Sequence, residues 1–325
     1  MAYYTVAHYL HSDLYGKVVG PANLPAEKVT HAVWDYVLLG KTGAPLPDGV
    51  DVAVLDKMKH EFNYWYPWDL RCSGRDLLQN HLTMSLYHHA AIFERKQWPR
   101  GIRACGFMLL NEEKMSKSTG NFLTLAQALE KFGCDAMRLT LARGGDQMTD
   151  GNFNEHEADE AVKTLHTLVV YAKENMASVS KLRSGEFNFF DRLIEDHINT
   201  ALATARAEFE QSMFRAGIEG GFNALLNNWK TYVCNCCLSI FCLSVLSRYL
   251  GSVGDLGLSI GPHQTLMKRY VRSMAILLAP VGPHLAEQLW SIAGEQGFVI
   301  NARWPETVAS NSSLLSRMEN YFEGF

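Results

Sequence analysis

Lys114-Met115-Ser116-Lys117-Ser118, followed by Thr119-Gly120-Asn121, places two ammonium groups three residues apart in a short polar run. Each is a compact, flexible donor suited to phosphate. At roughly 4 Å from a phosphate oxygen the attraction is worth about 1 kcal/mol in water and several-fold more where water is thinned out. Two such groups on either side of a triphosphate stabilise charge that develops at the α-phosphate. The hydroxyl residues between them add donors without bulk, and Gly120 permits a turn. Read without context, two lysines in a polar loop are equally an exposed, solvated basic surface.

Upstream, Gly74-Arg75-Asp76 stands where a strand is expected to turn into a helix running from about Asp76 to Phe93. Ligands of open α/β sheets sit at such strand ends, where a small residue lets a nucleotide approach the backbone. An acidic residue just beyond can accept both ribose hydroxyls, although Asp is also a preferred helix cap. His81 lies just over one turn further along that helix, facing the same crevice, or alternatively packed in the core.

The five-residue lysine run is identical to the signature (KMSKS) loop of class I aminoacyl-tRNA synthetases, and the wider sequence resembles their leucyl members of archaeal and eukaryotic cytosolic type. The resemblance covers most of residues 1–230 and 265–305. It is carried by Met1 to His8, Tyr64-Trp-Tyr-Pro67, Asp69-Leu-Arg71, Ser73 to Leu77, Asn80-His-Leu82 and Leu109 to Thr124. Asp135-Ala-Met-Arg-Leu139, Asp150 to Phe153, Leu277 to Pro280, Pro283-His-Leu285 and Trp304-Pro305 continue it.

The resemblance implies an α/β plus all-α fold. The C-terminal part of a Rossmann-like catalytic domain is expected over 1–105, the KMSKS loop and stem-contact region over 106–155, and an anticodon-binding-type helical domain over 156–325. It implies leucine-tRNA ligase chemistry, in which leucine attacks the α-phosphate of ATP, bound with Mg²⁺, and the acyl group passes to tRNA(Leu). No nucleophilic Ser or Cys is needed, because positioning and charge stabilisation carry such a step. Lys114 and Lys117 are the expected catalytic pair. Met115, Ser116, Ser118, Gly74, Asp76 and the backbone of Leu109 and Leu110 are expected to hold ATP. Tyr4 and His8, on an expected strand, and His81 are expected to line the leucine pocket, although the aromatic ring of Tyr4 is equally plain core.

Two departures from the family stand out. No His-x-Gly-His signature occurs, and residue 1 aligns with an internal methionine of the family. The expectation is therefore a chain without the first strands, half the ATP site and the editing domain, completed by an N-terminal partner polypeptide or a multi-synthetase complex. The alternative is a catalytically inactive RNA-binding or scaffold remnant. A synthetase for isoleucine, valine or methionine is disfavoured by the leucyl-like stretches Tyr3 to His8 and Ser73 to His81. The second departure is an almost uncharged, cysteine-rich run from Tyr232 to Leu250 leading into a Gly/Ser-rich stretch, taken together as a divergent insertion over 232–262. A buried bundle helix is favoured there over a membrane span, since Asn235, Arg248 and the serines interrupt it. Cys234, Cys236, Cys237 and Cys242 lack a second ligand cluster at zinc spacing, so no structural metal is expected.

The composition agrees without leading there. The 325 residues are 47% hydrophobic and carry a net charge of −4, enough for two cores and without a global basic footprint for nucleic acid. Any tRNA contact must use local patches, such as 92–117 with Arg95, Lys96, Arg100, Arg103, Lys114 and Lys117, a stretch that an ordinary solvated surface explains as well. Met1-Ala-Tyr-Tyr lacks a basic leader, so an intracellular, cytoplasmic setting is expected.

Tyr64 to Ser73 reads as a buried strand with its approach. Gly16 to His60 reads as loop-rich, punctuated by Pro21, Pro25, Pro45 and Pro47. From Gly151 apolar residues recur at helical spacing: Ala161, Val162, Leu165, Leu168, Val169, Ala172 and Met176, then Ile194, Ile198, Leu202, Ala205 and Phe209, then Leu266, Tyr270, Met274, Leu277 and Leu278. A bundle of long amphipathic helices follows.

Overall fold

The computed structural model describes residues 1–116, 118–145, 149–233 and 261–308. The chain divides into two compact units, Met1–Gly106 and Phe107–Phe325.

In the first unit, helices α1 (Ala2–Leu10), α2 (His31–Leu39) and α3 (Val52–Trp65) precede strand β1 (Arg71–Gly74), helix α4 (Thr83–Ile92) and strand β2 (Ile102–Cys105). β1 and β2 pair in parallel, Arg71 opposite Ile102 through Gly74 opposite Cys105, so α4 is the crossover of a βαβ unit. Local signals fix the helix ends. The Asp51 carboxylate accepts from the Ala53 N–H at 2.9 Å and starts α3. Gly40, at φ 67°, ends α2 in the left-handed conformation. The core consists of Val6, Val33, Val37, Leu55, Met58, Phe62, Tyr66 and Phe93, with Phe62 stacked on Tyr66 at 4.5 Å between ring centroids.

Two expectations are corrected here. The stretch from Tyr3 to His8 is part of helix α1 and not a strand. Ala2, Val6, Tyr9 and Leu10 fall at helical spacing and pack on the core, which outweighs the strand preference of the adjacent tyrosines. Tyr64 to Ser73 is likewise no buried strand. α3 runs on to Trp65 because Leu55, Met58 and Phe62 form one buried stripe, leaving Tyr64 and Trp65 on its exposed side, and only Arg71–Gly74 is extended. The helix expected from Asp76 begins with a 3₁₀ turn (Arg75–Leu77) and a π turn (Leu78–Leu82) before α4.

The second unit opens with a three-stranded sheet of β3 (Met108–Leu110), β4 (Glu113–Lys114) and β5 (Gly151–Phe153), in the order β4-β3-β5. β3 and β4 join through Asn111 and Glu112, both at positive φ (52° and 69°), the requirement of a tight two-residue hairpin. Between the sheet's second and third strands lie α5 (Leu125–Phe132) and α6 (Cys134–Gly144). A helical bundle follows: α7 (Glu155–Ala177), α8 (Phe189–Glu210), the single turn α9 (Phe214–Gly217), a π turn (Ile218–Asn223), α10 (224–233), α11 (Gln264–Leu278) and α12 (Pro283–Ile292). The expected stripes are its core, with Leu165, Ile194, Ile198, Leu202, Tyr270 and Met274 all at 2% exposure or less. Trp229 stacks on Tyr270 at 4.0 Å.

Beneath that bundle a buried ion pair links Arg183 to Asp191. Asp191 also accepts from the Tyr232 hydroxyl at 2.6 Å, and that hydroxyl accepts from the His263 N–H at 2.9 Å. Tyr232, Val233, Gly261 and Pro262 of the expected insertion are among the described residues, while its remaining residues, 234–260 with Cys234, Cys236, Cys237 and Cys242, lie outside them. Among the described residues no helix is long and apolar enough to cross a membrane.

Candidate functional site

In the second unit the lysine loop is a small clasp built on the β3–β4 hairpin. Lys114 is the last residue of β4, and its ammonium lies 5.8 Å from the centre of the Phe107 ring. Among the described residues no carboxylate pairs with it, so the exposed charge is available to an external anion. After Met115, Ser116 bridges Asn121 in antiparallel fashion, its N–H donating to the Asn121 carbonyl at 2.9 Å. The hydroxyls of Ser116 and Ser118 stand 2.8 Å apart, and that of Thr119 donates to the Ser116 carbonyl at 3.2 Å. Gly120, at φ 78°, makes the reversal. Lys117 lies outside the described residues.

Asn121, which sequence reasoning passed over, closes the clasp. Its amide reaches the carbonyls of Leu110, Glu113 and Lys114 at 3.3, 3.5 and 3.4 Å. Leu109 and Leu110 occupy the central strand, opposite Lys114 and Glu113 on one side and Asn152 and Phe153 on the other. Leu110 is buried.

A polar network steadies the hairpin turn from behind. The Asn111 carboxamide donates to Glu155 at 3.0 Å and accepts from the Glu155 N–H at 3.1 Å, and Lys131 pairs with the same carboxylate at 2.6 Å. The bond from Lys131, with that from Asn111, holds the Glu155 carboxyl below its ordinary pKa, and Glu155 in turn raises that of Lys131. The Asn152 side chain accepts from the Glu112 N–H at 2.8 Å, and that of Asp150 from Phe107 at 2.9 Å.

The first unit places the remaining candidates together. A Cβ at Gly74 would come 2.4 Å from an Asp76 carboxylate oxygen, so the absent side chain is what lets Asp76 sit over the end of β1. Asp76 is exposed and makes no side-chain cap at the helix start, leaving the carboxylate open to solvent or ligand. His81 Nδ1 accepts from Arg71 at 3.1 Å. It lines a hollow of about 430 Å³ whose walls include Met1, Leu38, Tyr66, Met84 and Ile92. A second hollow of about 490 Å³, lined by Tyr4, His8, Trp65 and Trp68, shares Met1 and Tyr66 with the first. The structure therefore brings Tyr4, His8 and His81 to two hollows with a common wall, one largely apolar and each edged by imidazole. His89, also unforeseen, underpins that wall: its Nδ1 donates to the Ser85 carbonyl at 2.6 Å, and its Nε2 lies 3.2 Å from the Tyr66 hydroxyl and 3.3 Å from the Trp68 indole N–H. Burial raises the Tyr66 phenol's pKa.

Comparison with known proteins concerns the chain as a whole. Residues 53–172 match the family described as tRNA synthetases class I (M), and residues 191–323 the anticodon-binding domain of tRNA ligase. The putative cytoplasmic leucine–tRNA ligase of Schizosaccharomyces pombe is 40% identical over 98% of this chain, which spans 27% of that protein's length. The leucine–tRNA ligase of Aeropyrum pernix is 35% identical over 96% of the chain and is 30% covered. The chain thus spans less than a third of these relatives. Among solved structures, the ternary LeuRS–tRNA–LeuAMS complex of Agrobacterium radiobacter K84 superposes with a TM-score of 0.56 at 20% identity, over 87% of this chain and 33% of that one. Mycobacterium tuberculosis methionyl-tRNA synthetase with methionyl-adenylate gives 0.57 at 22% identity, over 82% and 52%. At that identity the likeness concerns the fold.

Proposed function

Because the chain belongs to the class I aminoacyl-tRNA synthetases, in their leucine–tRNA ligase branch, we propose that it carries the lysine loop, ribose site and leucine pocket for activating leucine with ATP and passing it to tRNA(Leu) in the cytoplasm. The observation that carries the proposal is the exposed Lys114, without a carboxylate partner among the described residues, on a clasp of small hydroxyl residues. Lys114 and Lys117 contact the phosphates of Mg·ATP and stabilise charge as the leucine carboxylate attacks the α-phosphate and pyrophosphate leaves. Ser116 and Ser118 add donors, and Met115 spaces the two lysines. Gly74 and Asp76 receive the ribose, and the strand of Leu109 and Leu110 receives the adenine. Tyr4, His8 and His81 enclose leucine across the wall of Met1 and Tyr66 that the two hollows share. The helical unit presents tRNA. Beyond tRNA(Leu), its proposed partners are the N-terminal part of a synthetase and a larger synthetase assembly.

The second reading, an RNA-binding remnant, is favoured by the lack of a His-x-Gly-His signature in the sequence. Calorimetric titration with a non-hydrolysable leucyl-adenylate analogue separates the two. Saturable binding by the parent, weakened at least about tenfold by Lys114→Ala and by Asp76→Ala, supports the ligase reading. Binding of tRNA(Leu) without binding of the analogue supports the remnant.

A further inference from the structure

Cys134 opens α6, Asp135 follows it, and His284 is the second residue of α12, so 149 residues of chain separate the last two. Folding brings one thiol, one carboxylate oxygen and one imidazole nitrogen within 4.8 Å of one another. We infer that these three side chains form a binding site for a divalent transition ion of the zinc class, pinning α6 to α12 with one coordination position left to water.

Four observations carry the inference. Thiolate, imidazole and carboxylate are the donors zinc takes, at about 2.0–2.3 Å, and three protein ligands with an open position form a recognised arrangement. The Asp135 carboxylate is only 6% exposed, yet among the described residues it has no Lys or Arg counterion. Its partners are the Leu285 N–H at 2.6 Å and His284 Nδ1 at 2.9 Å. A carboxylate so buried is expensive unless a cation compensates it.

The scaffold under the ligands is already fixed. Arg138, one turn along α6, donates to the carbonyls of Val281 and Pro280 at 2.7 and 3.3 Å, just before α12. Closing the triad to the spacing of bound ligands therefore needs only side-chain rotation, and the His284 side chain is 74% exposed and free to turn. The charges also balance. A metal-bound Cys134 thiolate and the Asp135 carboxylate together neutralise a dication, so two helix N-termini face no net positive charge.

The test uses the full 325-residue chain with Cys234, Cys236, Cys237 and Cys242 replaced by serine, so that those thiols cannot report. Titration with Co²⁺ is expected to give one equivalent, with a thiolate-to-cobalt charge-transfer band and the visible bands of a four-coordinate ion, both bleached by Zn²⁺. Cys134→Ala should abolish the charge-transfer band, and His284→Ala should weaken binding at least tenfold. Zinc should raise the thermal midpoint of the background protein and leave that of Cys134→Ala unchanged. A charge-transfer band that survives Cys134→Ala, or the absence of stoichiometric binding, overturns the inference.

Discussion

At the scale of single residues, the account rests on charges that are free and charges that are held. Lys114 is the free kind. Asp191 is the held kind, fully buried against Arg183 and Tyr232. Removing one partner of a buried pair leaves an uncompensated charge, so Asp191→Ala is expected to cost about 3–5 kcal/mol in urea denaturation. Glu155 and Lys131 are held at the surface, with a different signature. The Glu155 pKa is lowered on folding, so its contribution is present above its ordinary value of 4.5 and lost as pH falls through the depressed folded value. That of Lys131 is raised, so its contribution is present below 10.5 and lost as pH rises through the elevated folded value. The pair therefore stabilises between those limits, and Glu155→Gln should flatten the acid limb of a Tm-against-pH curve. An unchanged acid limb would show that the network contributes nothing. Gly74, Asp76, His81 and the lysine run can be named as candidates from the sequence, since each is picked out by residue type and spacing. Asn121 and His89 cannot. Their work is done through carbonyls and rings distant in sequence, and nothing in a lone Asn or His announces that.

At the scale of elements, the long helices were legible for the same reason they are stable: apolar residues at three-to-four spacing have one face to bury. α7, α8 and α11 bury these stripes, except that Val162 of α7 is exposed. α1 and the end of α3 misled because Tyr3, Tyr4, Tyr64 and Trp65 favour strands by type, whereas the residues that decide the matter are Val6, Met58 and Phe62, buried behind them. The clasp depends on α5 being anchored. Thr124 and Gln127 form a reciprocal capping box, with the Thr124 hydroxyl accepting from the Gln127 N–H at 3.3 Å and the Gln127 side chain accepting from the Thr124 N–H at 3.0 Å. Thr124→Ala should lower stability by about 1 kcal/mol, read in the thermal midpoint. Thr124→Ser should restore most of it, and a Ser variant no better than Ala would assign the loss to packing.

At the scale of the whole molecule, residues 53–172 and 191–323 match the class I tRNA synthetase and anticodon-binding families, while the 27% share of a relative's length makes activity the property to be measured. The central claim is that the lysine clasp works on ATP in a leucine-dependent reaction. It is tested most directly by leucine-dependent exchange of pyrophosphate into ATP, with the parent chain beside Lys114→Ala/Lys117→Ala. The account predicts exchange that requires leucine and falls about 100-fold or more in the double variant, whose circular dichroism is unchanged. Exchange undiminished by loss of both lysines, or none from a folded parent that still binds tRNA(Leu), would contradict it.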